Sequence, residues 1–388
     1  MKLNSGWMVW LAAISAACLN GSIHALAATS KEASEATTMM SSYEAQQKAE
    51  AAAREKDGAW KPSCSEVSLI QIGDSRRPGA LKNFCLNADG NILACYAPKE
   101  AGGKGASAIR VYSPKGELLT TLPLEIRPGA ICVAKDGSIF VAGDGKILKL
   151  DAAGKVLASA PSPVANEPVV IGKETEDMVR EMVKQSKKSF KEELAHMKTN
   201  LEHRRAEVTG LAVTDQDVFM AVGAPSDFSY RVYRLSHALA EPKLVVEKLR
   251  GCCGQMDIQA YDGKLWIPHN ARHQVEAHDR DGKQLARFGT AGRVKATDFG
   301  GCCEPKNMRV LPNGDILAAE SGPPTCIKRF SASGKFLGVV ALANNSRGDC
   351  VRVTVEMSPD GRRYYMLDTT RDAIRVFAAK SGGGVSKL

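Results

Sequence analysis

The amino-acid sequence predicts an all-β fold in which one four-stranded unit is repeated around a ring. The clearest unit spans 251–289, where four short alternating runs are separated by turns that include Asp262-Gly263 and Asp281-Gly282. Asp-Gly between alternating apolar runs is a strong signal for a two-residue hairpin turn. We therefore expect an antiparallel meander, with strands over 256–260, 264–268, 274–278 and 284–288.

The same unit recurs along the chain with a period of about 47 residues, a spacing typical of propeller blades. Gln216 marks one copy, and the glycine of the first turn marks the others, at Gly90, Gly137, Gly263, Gly314 and Gly361. The long interval before Gln216 contains one helical insertion, predicted over 174–205. Six copies predict a six-bladed β-propeller over residues 61–380.

The sixth copy begins near Cys350, contains only three strands and ends near Ala379. A β-like run over Val67–Ile72 precedes the first copy and has the form of an outer strand. If this run supplies the fourth strand of the last blade, the ring has no exposed sheet edge. This closure is the main argument for six blades.

The helical insertion carries a stripe of apolar residues at helical spacing. Such a stripe must pack against something, either the flank of the ring or a docking partner. The stripe consists of Met178, Met182, Phe190, Leu194, Met197 and Leu201.

Several half-repeats resemble the NHL repeat, among them 137–151, 270–275 and 370–377. The resemblance covers roughly residues 66–380. It implies that the inner strands line a central channel, and that the loops entering each inner strand share one face with the loops between second and third strands. NHL propellers serve as binding platforms, scaffolds and occasional enzymes, so the resemblance is specific for fold and not for function.

Residues 1–27 have the pattern of a secretory signal peptide. Lys2 precedes an apolar stretch over Trp7–Cys18, and Ala25-Leu26-Ala27 forms a small-residue cleavage motif. An alternative is a lipoprotein in which Cys18 is acylated. The sequence thus predicts a secreted or periplasmic protein with no transmembrane segment.

The composition is that of an ordinary globular protein. The net charge of +9 is spread along the chain without a long basic block, which argues against a nucleic-acid surface. The region 28–60 is rich in Ala, Glu, Lys, Ser and Gln, and we expect a flexible or partly helical spacer there. A short tail over 381–388 follows the ring.

Three copies carry a cysteine at one equivalent position, eleven residues before the turn glycine. These are Cys252, Cys303 and Cys350, and Cys253 and Cys302 are their immediate neighbours. Because the resemblance implies that this position lies at the mouth of the channel, we expect the cysteines to converge there.

Other residues are expected at the same mouth. They are Met256 and Met308 on the entering segments, and His269, Arg272, Glu320, Asp368 and Arg371 on loops between second and third strands. The two arginines hint at an anionic ligand. The mouth is therefore predicted to bind a small molecule or a protein partner.

Three interpretations of the cysteines remain open. Exported cysteines usually pair, so each could form a disulfide bond to a neighbouring blade loop. The vicinal pairs at 252–253 and 302–303 could instead close as vicinal disulfides that present a rigid plate to a ligand. The third interpretation is a soft metal, Cu or Zn, held by Cys252, Cys303, Cys350 and His269.

The sequence identifies no reaction. It has no C-x-x-C-H, H-E-x-x-H or G-x-S-x-G motif and no phosphate loop. We weigh a binding module at the cysteine-rich mouth against an enzyme, a lyase or oxidoreductase, that uses a metal or redox cysteines at the same place. A third hypothesis is a cell-envelope scaffold that docks through the helical stripe.

Overall fold

The structure is a computed structural model that describes residues 30–98, 107–184, 189–251, 254–343 and 351–379. The predicted signal peptide, with Cys18, and the predicted tail lie outside the described residues. Within the described ranges, no helix is both long enough and apolar enough to span a bilayer.

Six four-stranded antiparallel sheets form the ring in the described part of the chain, which confirms the predicted six-bladed propeller. Blades 1 to 3 consist of β2 (Leu81–Leu86), β3 (Ile92–Tyr96), β4 (Ala108–Tyr112), β5 (Leu118–Pro123), β6 (Ala130–Val133), β7 (Ile139–Gly143), β8 (Lys146–Leu150), β9 (Val156–Pro161), β10 (Val208–Val213), β11 (Asp217–Gly223), β12 (Ser229–Ser236) and β13 (Lys243–Arg250). Blades 4 to 6 consist of β14 (Gln259–Tyr261), β15 (Lys264–His269), β16 (Gln274–His278), β17 (Gln284–Phe288), β18 (Asn307–Val310), β19 (Ile316–Glu320), β20 (Thr325–Phe330), β21 (Phe336–Ala343), β22 (Val355–Met357), β23 (Arg363–Asp368), β24 (Ala373–Ala379) and β1 (Cys64–Gln71).

The ring closes as predicted, because the first strand completes the last blade. The order in blade 6 is β22, β23, β24 and then β1 at the outer edge. β1 runs antiparallel to β24, and Ile70 lies opposite Ile374 in this pairing. The N-terminal segment therefore removes the free edge that β24 would otherwise expose.

Blade 4 differs from its prediction in one strand. The run predicted over 256–260 is a strand only over Gln259–Tyr261. The preceding backbone bonds to blade 3 instead: the Thr209 hydroxyl donates to the Met256 carbonyl at 2.8 Å. A Cβ added at Gly210 would lie 2.8 Å from the same carbonyl oxygen, so glycine allows this close approach. The segment therefore packs between two blades rather than pairing within one.

Apolar side chains fill the spaces between neighbouring blades. One cluster joins Phe140 of blade 2 with Val218 and Met220 of blade 3. Another joins Trp266 of blade 4 with Phe330 of blade 5. The core thus consists of clusters at the seams of the ring, and each blade depends on its neighbours for burial.

Inside the ring, the inner strands carry a buried ionic network. Arg309 of blade 5 reaches Asp257, at the start of blade 4, through Nη1 (2.7 Å) and Glu356 of blade 6 through Nε (2.7 Å). Burial raises the pKa of both carboxyls, and the charge of Arg309 opposes this rise. The Asn307 amide adds a hydrogen bond to Asp257. The network connects three consecutive blades along the inner strands.

The spacer region contains α1 (Ser30–Lys56), and its end docks on the ring. Arg54 donates from Nη1 to the Arg293 carbonyl at 2.7 Å. The Trp60 indole donates to the Val294 carbonyl, also at 2.7 Å. The region is thus helical, and its C-terminal end is attached to the loop that leads from blade 4 into blade 5.

The insertion contains two helices, α2 (Lys173–Val183) and α3 (Phe190–Arg205). Ser189 and Glu192 form a reciprocal capping box that fixes the start of α3. From the predicted stripe, Met197 and Leu201 are buried, whereas Met178 is 40% exposed. α3 packs on blade 3, where the Arg204 guanidinium donates to the Phe228 carbonyl at 3.1 Å.

Ring closure can be tested with neighbouring residues of β1 that face opposite sides. Ile70 is buried in the cluster between blades 6 and 1, and Leu69 is 39% exposed. We expect Ile70→Ala to lower the free energy of unfolding by about 2–5 kcal/mol and Leu69→Ala by less than about 0.5 kcal/mol. Urea unfolding measures both. Equal effects would show that β1 does not seal the ring.

Candidate functional site

The structure brings only part of the predicted mouth together. Cys252, Cys253 and Cys350 lie outside the described residues. Met256 and Met308 are fully buried, in the clusters between blades 3 and 4 and between blades 4 and 5. Their side chains pack in the core, and their expected place at the mouth remains a prediction.

His269, predicted as a metal ligand, has both ring nitrogens engaged. Its Nε2 accepts from the Arg250 amide at 2.9 Å, and its Nδ1 contacts the Glu276 carboxylate at 2.9 Å. The imidazole is also buried. His269 is therefore a structural hydrogen-bonding residue here, and the described residues contain no group of three or more His, Cys, Asp or Glu positioned to hold a metal ion.

The predicted carboxylates at the mouth also have structural partners. Glu320 pairs with Lys328 and accepts from the Gly300 amide at 2.7 Å. Asp368 accepts from Arg375 at 2.8 Å and 2.9 Å. Both carboxylates are buried. They hold the loops on this face in place.

The two predicted arginines differ from these carboxylates because both extend toward solvent. Arg272 is exposed, and the Arg371 side chain is 44% exposed. The nearest carboxylate to Arg371 is Asp368, at 3.9 Å.

Cys302 and Cys303 lie where the loop from blade 4 enters blade 5, as the repeat predicts. Their Sγ atoms are 3.2 Å apart, which is a contact and not a covalent bond. Cys303 is completely buried, and the Lys306 Nζ lies 2.6 Å from its Sγ. We call Cys302, Cys303, Glu304 and Lys306 the cysteine pocket.

Glu304 is the second unusual group of this pocket. Its Oε1 accepts three hydrogen bonds, from the Ser321 amide (2.9 Å), the Ser321 hydroxyl (2.7 Å) and the Gly322 amide (2.9 Å). Its Oε2 is buried and has no hydrogen-bond partner among the described residues. Burial raises the pKa of Glu304 to about 8, Lys306 opposes the rise, and Glu320 and Cys303 add to it.

His273 lies close enough to the cysteine pocket for the groups there to act on its pKa. Burial lowers the pKa of His273, and Cys303, Glu320 and Cys302 oppose that shift. Its Nδ1 is buried without a hydrogen-bond partner among the described residues. Two buried polar atoms therefore have no hydrogen-bond partner among the described residues: Oε2 of Glu304 within the pocket and Nδ1 of His273 beside it.

A second feature lies over the channel itself. Arg352, three residues before β22 begins at Val355, reaches to three other blades. It donates to the carbonyls of Lys82 (3.4 Å), Gly129 (3.3 Å) and Gly254 (3.3 Å), which belong to blades 1, 2 and 4. These recorded partners are main-chain carbonyls, which hold the guanidinium without neutralising its charge.

Glu207 lies near Arg352 at the same mouth. Desolvation raises the pKa of Glu207, and the positive charges of Arg204, Arg352 and His203 oppose the rise. Arg204 stacks over the Tyr230 ring at 4.7 Å, and its Nε is buried without a partner among the described residues. The mouth thus combines two arginines with one carboxyl group.

Sequence reasoning did not single out Arg352, Glu207, Glu304 or Lys306. Aligning the blades by their turn glycines places Arg352 opposite Gly254 and Pro305, so an arginine stands out against small residues. Glu304 directly follows the predicted cysteine pair, and Lys306 lies two residues further on. Charged residues this close to two cysteines could have indicated a site, because they change the reactivity of a thiol.

Thiols also occur inside the ring. Cys85, Cys95, Cys132 and Cys326 form no disulfide in the structure. Burial raises the pKa of Cys132 to about 12, and Arg309 opposes the rise. These cysteines behave as small apolar residues within the packed ring.

No protein-family model matches the sequence, and no curated protein matches it. Solved structures do match. A protein of unknown function from Bacteroides thetaiotaomicron has 12% identity and a TM-score of 0.55, over 82% of this chain and 76% of its own. Streptogramin B lyase has 11% identity and a TM-score of 0.49, over 84% of this chain and 100% of its own.

A gluconolactonase from Xanthomonas campestris has 12% identity and a TM-score of 0.46, over 84% of this chain and 99% of its own. The similarity to the Bacteroides protein supports the fold. None of the three similarities carries a conclusion about activity at these identities. The chain is a six-bladed β-propeller.

The raised pKa of Glu304 predicts a pH-dependent stability. The folded protein keeps a proton that the unfolded chain releases above about pH 4.5, so stability is greatest below that value and falls as pH rises toward about 8. The loss is on the order of 3–5 kcal/mol. We expect Glu304→Gln, a neutral isostere, to remove this slope in denaturant unfolding measured from pH 5 to 8. Glu202→Gln, an exposed control, should leave it unchanged.

The lowered pKa of the buried Glu276 predicts that the stability of the fold changes with pH in the opposite direction. Burial alone would raise its pKa, but hydrogen bonds from His269 and His278 outweigh it and lower the pKa to about 2. The carboxylate therefore stabilises the fold above about pH 4.5, and this contribution is lost as pH falls toward 2. We expect Glu276→Gln to destabilise the protein by about 2–4 kcal/mol at pH 7.

The same unfolding experiment, run from pH 7 to 3, should show this difference shrinking with acid. If Glu276→Gln and Glu304→Gln changed the pH slope in the same direction, the assigned electrostatics would be wrong.

Proposed function

We propose that the protein is an NHL-type propeller that binds a small anion at the mouth of its channel. The observation that carries the proposal is Arg352, a half-buried guanidinium suspended over the channel by carbonyls of three blades. A guanidinium matches carboxylate and phosphate groups through paired donors, so an arginine fixed by carbonyls of several blades is a suitable anchor.

Arg204 supports the same ligand charge. It approaches from α3, and its recorded hydrogen bond goes to the Phe228 carbonyl. The Glu207 amide donates to the Arg204 carbonyl at 3.0 Å, and the Glu207 carboxyl lies beside Gly254, whose carbonyl accepts from Arg352, so the three groups are neighbours. A bound anion would replace the water that solvates the two guanidinium groups, while Glu207 would offer a hydrogen-bond acceptor or donor.

Geometry favours a small molecule over a protein partner for this mouth. The carbonyls that Arg352 contacts come from blades 1, 2 and 4, so main chain from several blades converges on the guanidinium, as polar groups do at small-molecule sites. Location outside the cytoplasm, secreted or periplasmic, is part of the same proposal and rests on the signal-like residues 1–27.

A second candidate is an enzyme at the same mouth. The contact between Lys306 and Cys303 favours thiol chemistry, because a neighbouring ammonium favours the reactive thiolate. A version with bound Cu or Zn rests on the sequence alone, since Cys252 and Cys350 lie outside the described residues. A thiol enzyme would lose its turnover on Cys303→Ser, whereas anion binding at Arg352 would persist.

The binding proposal is tested with a panel of probes: phosphate, acetate, succinate and citrate. At least one should raise the melting temperature of the full chain by a few degrees at saturating concentration. Arg352→Gln should abolish that shift, because it removes the charge and the paired donors. Calorimetric titration with the best probe should show at least a tenfold weaker affinity, equal to about 1.4 kcal/mol.

Arg371→Gln is the matched control. Arg371 lies on the same face and is 44% exposed, but it does not reach across the channel. Its replacement should leave the shift intact. An equal loss in both variants would indicate nonspecific charge, and no shift with any of the four anions would reject the proposal.

A further inference from the structure

The cysteine pocket places a thiol and an amine side by side in the interior. Cys303 and Lys306 are 0% and 1% exposed, and their Sγ and Nζ atoms are 2.6 Å apart. This distance is shorter than the range of about 2.7–3.2 Å for N–H···O hydrogen bonds. A hydrogen bond to sulfur, a larger atom than oxygen, would be longer still. The two atoms are therefore at a separation that a single bridging atom can span.

The loop geometry keeps the two groups together. The residues are three apart, and the intervening Glu304 is anchored by three hydrogen bonds to Ser321 and Gly322. The next residue, Asn307, begins β18. The anchored Glu304 and the start of β18 limit how far Cys303 and Lys306 can separate. The fold therefore holds the thiol and the amine together.

The neighbouring groups suit an oxidation at this place. The Cys302 Sγ is 3.2 Å from that of Cys303, and Cys302 is half-buried, so this side chain is the more exposed of the two thiols. Oxidation of a thiolate by peroxide releases hydroxide, which accepts the proton of the Lys306 ammonium. Deprotonation would leave an amine with a lone pair that can bond to oxygen.

We propose that Cys303 and Lys306 form a redox-reversible covalent cross-link in which one oxygen atom joins sulfur to nitrogen. The co-reactant is a small oxidant of the peroxide class. One thiol, one amine and two molecules of hydrogen peroxide give the S–O–N bridge and three molecules of water. One S–H and one N–H bond are lost, and an S–O and an O–N bond form.

The electrons also balance. Sulfur and nitrogen together lose four electrons, which reduce the two O–O bonds of the peroxide molecules. The thiolate is oxidised first, to the sulfenic acid level. Two molecules of a dithiol reductant reverse the reaction, because together they supply the four electrons and four protons that return the thiol, the amine and one water, and each dithiol becomes a disulfide. The bridge would fasten the cysteine-bearing loop to the first strand of blade 5 while the protein is oxidised.

The test is peptide mapping of the full wild-type chain after titration with hydrogen peroxide. The expected product is one cross-linked species whose mass exceeds the reduced form by one oxygen less two hydrogens. Fragmentation should place the link between Cys303 and Lys306, and trypsin should no longer cleave after Lys306. Excess dithiothreitol should restore the unmodified mass.

Two variants separate this bridge from other cysteine oxidations. Cys302→Ser should keep the oxygen-containing link, and Lys306→Arg, which keeps the charge, should lose it. A loss of two hydrogens mapped to Cys302 and Cys303 would show a vicinal disulfide and overturn the proposal. A loss of two hydrogens between Cys303 and Lys306, or only sulfinic acid at Cys303, would overturn it as well.

Discussion

Every blade of this protein depends on the antiparallel pairing of the first strand with the last. β1 and β24 pair from Cys64 and Ala379 to Gln71 and Ala373. Because the apolar clusters lie between blades, a ring with an unpaired edge would expose surface at the seams on both sides of the gap. The closure also sets the diameter of the channel, and with it the distances that Arg352 and Arg309 must bridge.

Charged groups inside the ring are stabilised by being shared between blades. Arg309 contacts carboxylates on both sides of its own blade, and Glu276 accepts from two histidines. Breaking one member of such a set would leave an uncompensated buried charge, which is more costly than losing an exposed pair. Arg352 differs from these groups because its hydrogen-bond partners are main-chain carbonyls rather than carboxylates.

Much of the fold could be predicted from the sequence, because turn chemistry and alternation are local signals. Asp262-Gly263 and Asp281-Gly282 locate hairpins that the structure contains, and the spare run after residue 66 correctly identified the closing strand. The short β14 could not be predicted, since the Met256 carbonyl bonds to Thr209 of the neighbouring blade. Such a contact depends on the packing of distant segments and leaves no local pattern.

The candidate site was less accessible to sequence reasoning. Repeat counting placed Cys303 and Cys302 correctly at the entrance to blade 5, because blade geometry repeats. It could not show that Met308 turns into the core or that His269 uses both ring nitrogens. Which way a side chain points at a given loop position is decided by neighbours from other blades, as with Arg352 and the carbonyl of Gly254.

Completing a ring with the first strand has a kinetic consequence. The partners β1 and β24 are separated by almost the whole described chain, so their pairing is among the most nonlocal contacts in the molecule. The last seam cannot form until the end of the chain is available, and a partly made chain stays open. Such late closure leaves an unpaired strand edge and open seams exposed for longer, which raises the risk of aggregation before the ring is complete.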